Sequence, residues 1–194
     1  MSIEINTVIR NVRDGRTDDF GYIVDAYQKL IYHIVCRMID HPQDREDVFQ
    51  DIFFKAYKNL AKFRFESKFS TWIGRIAYNT CINYLRKHKV PLLADTTSAY
   101  EGEADDIFSE TDTGSVVDQE FQSELLKKEI AKLPPQYKLL ITLYHLHSMK
   151  YSEISKITNL PSGTVKNYLF RARQMLKAQI TAQYRQEDLD VSHQ

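Results

Sequence analysis

The stretch "YSEISKITNLPSGTVKNYLFRARQMLKAQI", Tyr151–Ile180, falls into three parts. "YSEISKIT" has the length and pattern of a short helix, and "NLPSG" carries the Asn, Pro and Gly that punctuate turns. Beyond it, Val165, Leu169, Ala172, Leu176 and Ile180 recur at helical spacing and predict the buried stripe of a longer helix, with Ser162 as its N-cap. Lys166, Asn167, Phe170, Arg171 and Gln174 are left outside, with Arg173 and Lys177 beside them. Short helix, tight turn and longer cationic helix is the helix-turn-helix plan, whose second helix enters the major groove of DNA. A cationic helix face is most often simply solvated. Here the turn chemistry and a net charge of +6 over residues 125–194 weigh toward DNA binding.

Upstream, Pro134-Pro135 pre-sets a helix start, and Leu139, Leu140, Leu143, Tyr144 and Leu146 supply its apolar face. His145 and His147 are two apart, do not share a helix face, and read as solvated or boundary histidines rather than a metal pair.

The formal net charge of the 194 residues is zero, but its distribution is uneven. Residues 1–94 hold 15 Lys+Arg and 11 Asp+Glu; residues 95–124 hold no Lys or Arg and 10 Asp+Glu. Two basic modules therefore flank an acidic segment. That segment, "DTTSAYEGEADDIFSETDTGSVVDQE", shows no periodicity and too little apolar matter to offset its ordering entropy, which predicts a flexible linker. Glu101, Glu103, Asp105 and Asp106 lack the His and the defined loop spacing of a metal site. Cys36 and Cys81 each sit in an apolar helical pattern without CxxC spacing and read as reduced core cysteines. With 6 Gly and 5 Pro, a turn-rich all-β fold is disfavoured. The N-terminus "MSIEINTVIRNVRDGRTDDF" is charged throughout, and no apolar run approaches membrane-spanning length, so a cytoplasmic protein without membrane insertion is expected.

The first module reads as helices. Phe20, Ile23, Val24, Tyr27, Leu30, Ile31, Ile34, Val35 and Met38 recur at steps of three and four, with His33 inside the pattern as a core or boundary histidine, before His41-Pro42 breaks the chain. The next helix has a core stripe of Val48, Phe49, Ile52, Phe53, Ala56, Tyr57 and Leu60. Asp47, Gln50, Asp51 and Phe54 form a patch off that stripe: a large apolar side chain ringed by polar ones, as fits a protein-docking site or packing on a neighbouring helix. In "KFRFESKFSTW", Phe63, Phe65, Phe69 and Trp72 alternate with Lys62, Arg64 and Lys68. Aromatics interleaved with cations suit single-stranded nucleic acid, the rings stacking on bases and the cations meeting phosphates; the bland alternative is a connection whose aromatics plug the core. The helix "STWIGRIAYNTCINYLRKHK" follows, with Ser70 or Thr71 as N-cap. It turns Ile73, Ile76, Ala77, Cys81, Tyr84 and Leu85 inward and Arg75, Asn79, Asn83 and Arg86 outward, side chains able to make forked bonds to bases and phosphates.

The blocks "DREDVFQDIFFKAYKNLAKFRFESKFSTWIGRIAYNTCINYLRK" and "LPSGTVKNYLFRARQML", in this order across an acidic linker, resemble the sigma-70 family of transcription initiation factors, in its small two-domain extracytoplasmic function (ECF) type. The resemblance covers most of residues 20–90 and 130–180. It implies an all-α fold of two small helical domains: a region 2-like domain over 1–94, a flexible linker over 95–124, and a region 4-like helix-turn-helix domain over 125–194. It also implies partners: core RNA polymerase through its β′ and β subunits, promoter DNA both duplex and single-stranded, and in many members an anti-sigma factor. It implies no cofactor, no metal and no catalytic residues, since the polymerase supplies the chemistry. Asp47, Gln50, Asp51 and Phe54 fall where the family docks on the β′ coiled coil. Phe63, Arg64, Phe65, Lys68 and Phe69 fall where an unstacked −10 base is captured, with Asn79 near the pocket. Trp72, Arg75, Asn83 and Arg86 lie at the edge of the opened duplex. Ser162, Thr164, Lys166, Asn167, Phe170, Arg171 and Arg173 fall on the −35 reader. The linker falls where the family threads the polymerase's channels. Two places depart from the family pattern: Phe65 stands where Gly is frequent, and Asn167 and Tyr168 stand where Ser and Arg are frequent. The rival readings are a stand-alone helix-turn-helix regulator, which leaves the aromatic loop and the Phe54 patch idle, a metal-dependent DNA-acting enzyme, and an interaction protein without DNA.

Overall fold

A computed structural model describes residues 4–90 and 119–191, with side chains for 4–90 and 126–183. Most of the expected linker lies outside the described residues. Among those described, every regular element is helical: α1 (Ile5–Arg13), α2 (Phe20–Met38), α3 (Pro42–Asn59), α4 (Phe69–Lys87), α5 (Gln119–Lys132), α6 (Pro135–Ile141), α7 (Tyr151–Thr158) and α8 (Ser162–Val191). Helix α5 begins five residues before the expected end of the linker at 124, because "QEFQSELLKKEIAK" continues the helical register N-terminally.

The helix starts follow local chemistry. Pro42 and Pro135 occupy the first turns of α3 and α6, where a missing N–H costs nothing. Two expected N-caps are displaced. Helix α4 starts at Phe69 after extended Lys68, so Ser70 and Thr71 lie inside its first turn. Helix α8 starts at Ser162, with Val165 N–H donating to Pro161 O at 3.0 Å, so Ser162 is already helical. Between α7 and α8, Asn159 takes the left-handed conformation at φ 59°, which its short polar side chain tolerates better than most, and the tight turn follows.

The periodic stripes form the core: Ile23, Ile31, Ile34, Met38, Ile52, Ile73, Ala77, Leu139, Leu143, Ile154, Val165, Leu169 and Ala172 are buried. Two stripe residues leave it. Tyr57 is exposed on α3, and Leu146 is 57% exposed because residues 142–146 widen into a π turn, which shifts the helical phase that had placed it inward. Cys36 and Cys81 are free thiols; burial of Cys81 pushes its pKa up to about 12, which keeps it a neutral apolar side chain, while Cys36 is half-buried.

The two modules pack on each other, α4 against α7 and α2 against α6, and share one apolar cluster. The helix approach depends on Gly74: a Cβ there would stand 3.0 Å from Ile157 Cδ1. Around this contact Lys68 Nζ pairs with Glu153 Oε1 at 2.8 Å, and Glu153 Oε2 also accepts the Lys150 N–H that opens α7. Arg37 Nε donates to Thr142 Oγ1 at 3.1 Å. His33 Nδ1 meets His147 Nε2 at 3.0 Å across the junction.

That histidine pair gives the junction a pH dependence. Burial, then the charges of Arg37 and Lys29, lower the His33 pKa; burial, then His33 itself, lower that of His147. Lys68 and Glu153 line the same cleft but neutralise each other. A lowered histidine pKa means that the packed form holds fewer protons than the separated one. Its stability is intact above the ordinary value near 6.5 and falls as pH drops through that value toward the lowered ones. Small-angle scattering is expected to show a larger radius of gyration at pH 5.5 than at pH 8. A His33→Phe/His147→Phe variant is expected to lose that difference.

Candidate nucleic-acid interface

Helix α4 places one outward face along its length. Arg75, Asn79, Asn83 and Arg86 are all exposed, while Ile73, Ala77, Cys81 and Leu85 on the opposite side are buried. Its last turn carries Arg86 and Lys87, where cations oppose the negative end of the helix dipole.

The connection leading into α4 divides its residues in a way the sequence pattern did not. Phe63 is 3% exposed, and its ring lies 4.9 Å from Phe65, 5.2 Å from Phe69 and 5.4 Å from Trp72. Phe69 is equally buried and touches Tyr27 of α2. Both rings pack into the core, the alternative that the sequence pattern left open for this connection. Trp72 is half-buried on the same cluster. The outward residues are Lys62, Arg64, Phe65, Glu66 and Lys68. Lys68 is held by Glu153 of α7 rather than left for a phosphate. Phe65 adopts the left-handed conformation at φ 59° that Gly would take without strain.

On α3 the expected patch is present. Asp47 and Gln50 are exposed, Asp51 pairs with Lys55 at 2.7 Å, and Phe54 is 56% exposed with Lys58 Nζ 4.0 Å above its ring. Lys58 and Lys55 were missed; they lie at i+4 from Phe54 and Asp51, a spacing the sequence displays.

On α8, Ser162, Phe170 and Gln174 are exposed, and Thr164, Lys166, Asn167, Arg171 and Arg173 are half-buried. Arg173 lies over the Tyr144 ring at 5.3 Å, which ties it to the π turn that follows α6. Tyr168 is buried against Tyr137 at 5.5 Å, so it belongs to the core and not to the outward face. Among the described residues, no group of three or more His, Cys, Asp or Glu is placed to hold a metal ion, and no helix is long and apolar enough to cross a membrane.

Comparison with known proteins agrees with this arrangement. Residues 23–90 match the model of Sigma-70 region 2, and residues 123–176 match that of Sigma-70, region 4. The ECF RNA polymerase sigma factor SigW of Bacillus subtilis is 36% identical over 188 residues, 93% of this chain and 98% of the relative. The ECF RNA polymerase sigma-E factor of Haemophilus influenzae is 32% identical over 178 residues, 89% of this chain and 93% of the relative. In solved structures the fold is shared with sigma factor RpoE of Bartonella quintana, crystallised with the anti-sigma factor NepR, at a TM-score of 0.61 and 19% identity over 84% of this chain and 97% of that one. Two helical modules, each matched by its family model, and relatives matched over nearly their whole length make this chain a member of the ECF family of RNA polymerase sigma factors, which direct the polymerase to promoters.

Proposed function

We propose that the outward face of α4, with Arg64 and Phe65 before it, engages the separated strand of the −10 element, while the outward face of α8 reads the −35 element as duplex. The observation that carries this reading is the uninterrupted exposed row Arg75, Asn79, Asn83 and Arg86 on a helix whose other side is core. Opening follows from differential binding: separated bases gain stacking and polar contacts that paired bases do not offer, so the protein favours the open state. Each base captured by stacking contributes about 1–3 kcal/mol, comparable with the unstacking it offsets. On this reading the protein contributes specificity, the polymerase performs the chemistry, and both act in the cytoplasm. The patch at Phe54 docks on the polymerase, and an anti-sigma protein of the kind bound to the Bartonella relative is a natural partner.

The packed arrangement of the modules is a resting state on this reading. Elements at −10 and −35 are separated by about 25 base pairs, roughly 85 Å of B-form DNA at 3.4 Å per pair. A globule of this chain length is only about 40 Å across. Modules joined at Gly74–Ile157 and Lys68–Glu153 must part before both elements are read together.

The test separates the two faces. Arg171→Ala is expected to weaken binding to a duplex −35 site by about 1–3 kcal/mol, the cost of a lost forked base contact, and to spare opening on a template whose −10 region is already unpaired. Asn79→Ala is expected to do the reverse. Permanganate footprinting and binding titrations with paired and pre-melted templates read both. Equal loss of both activities in both variants would refute the division of labour.

A further inference from the structure

Helix α1 lies before the region 2 match at residues 23–90, yet it reaches the connection before α4. Arg13 Nε and Nη2 donate to Leu60 O at 3.1 and 2.7 Å, and Nη2 also donates to Phe63 O. The Arg13 guanidinium lies 5.0 Å from the Phe65 ring centroid, and that of Arg10 lies 5.5 Å away. One side chain thus holds the carbonyls on both sides of the turn Leu60–Lys62 and the aromatic ring just beyond it. It does so at a place that needs holding, since Phe65 is bulky and sits at φ 59°. We infer that Arg13 is a positioning residue for −10 strand capture, fixing the left-handed Phe65 and so the outward course of Arg64–Ser67 where a glycine would otherwise set it. Arg10 adds a second cation over the same ring, which steadies it further. The inference rests on the assignment of this connection to the −10 strand.

The test uses holoenzyme assembled from the full chain and core polymerase. Its probe is a fork-junction DNA of fixed duplex with an unpaired, randomised non-template strand of eight nucleotides; bound molecules are sequenced. The readout is base preference within the unpaired strand, which a change in the folded fraction alone does not alter. Arg13→Ala is expected to flatten the preference at one position about tenfold, the loss of one charge-assisted contact. Arg13→Lys keeps the charge but cannot bridge two carbonyls and a ring; it is expected to behave like Arg13→Ala and serves in its place if that variant does not fold. Unchanged preference in both Arg13 variants, with preference lost in Phe65→Ala or Asn79→Ala, overturns the inference and leaves the −10 assignment standing. Preference unchanged in all of these variants overturns the −10 assignment and the inference with it.

Discussion

Phe63→Ala is expected to cost about 3–5 kcal/mol of folding stability, the range for truncating a buried aromatic. In a chain of this size that lowers the Tm by roughly 10 °C. The reason is geometric: the ring is 3% exposed, meets Phe65, Phe69 and Trp72 within 5.4 Å, and its own carbonyl is held by Arg13. Removing it leaves a cavity among rigid rings that do not collapse easily into the gap. Scanning calorimetry and urea unfolding measure the loss. At a temperature where the variant is still folded, its affinity for an unpaired −10 strand is expected to fall far less than that of Asn79→Ala. Native stability together with lost strand binding would show instead that the ring leaves the core to meet a base, as the alternation of aromatics and cations in the sequence implied.

That alternation left the direction of the rings open for a physical reason. A helix imposes a period, so Ile73, Ala77, Cys81 and Leu85 declared themselves buried and Arg75, Asn79, Asn83 and Arg86 exposed before any coordinates. The connection from Leu60 to Lys68 has no period, and each side chain's direction is set by single backbone angles such as the left-handed φ of Phe65. Leu146 failed for a related cause: the pattern was read at 3.6 residues per turn through a π turn that breaks it. The helix-turn-helix was legible because Asn159, Pro161 and Gly163 are local turn chemistry. The junction between modules was not, because Gly74–Ile157, Lys68–Glu153 and His33–His147 join residues 83, 85 and 114 positions apart, and each partner has an ordinary role in its own helix. Only Gly74 left a trace, as a lone glycine inside a helical pattern, the usual mark of a close approach.

Phe54→Ala is expected to weaken association with core polymerase by about 2 kcal/mol or more, roughly thirtyfold or greater, while leaving the Tm unchanged within about 1 °C. The contrast with Phe63 is one of burial. Phe54 is 56% exposed on the side of α3 away from Val48, Ile52 and Ala56, so its removal opens no cavity. What its truncation removes is an apolar anchor framed by charge: Asp47 and Gln50 at one end, the Asp51–Lys55 pair beside it, and Lys58 over the ring. Such a ring buried at the centre of an interface, with polar groups at the rim keeping water out, is where binding energy concentrates. The charges should act differently. Asp51→Ala breaks an exposed ion pair worth about 1 kcal/mol or less to the fold, and its effect on association should shrink as salt rises, whereas the Phe54 effect should persist. A pull-down titration at two salt concentrations, with calorimetry on the free variants, distinguishes them. Unchanged polymerase affinity in Phe54→Ala with native Tm would mean that the polymerase docks elsewhere and that this patch serves another partner. A fall in Tm as large as that of Phe63→Ala would mean that the ring supports the fold after all.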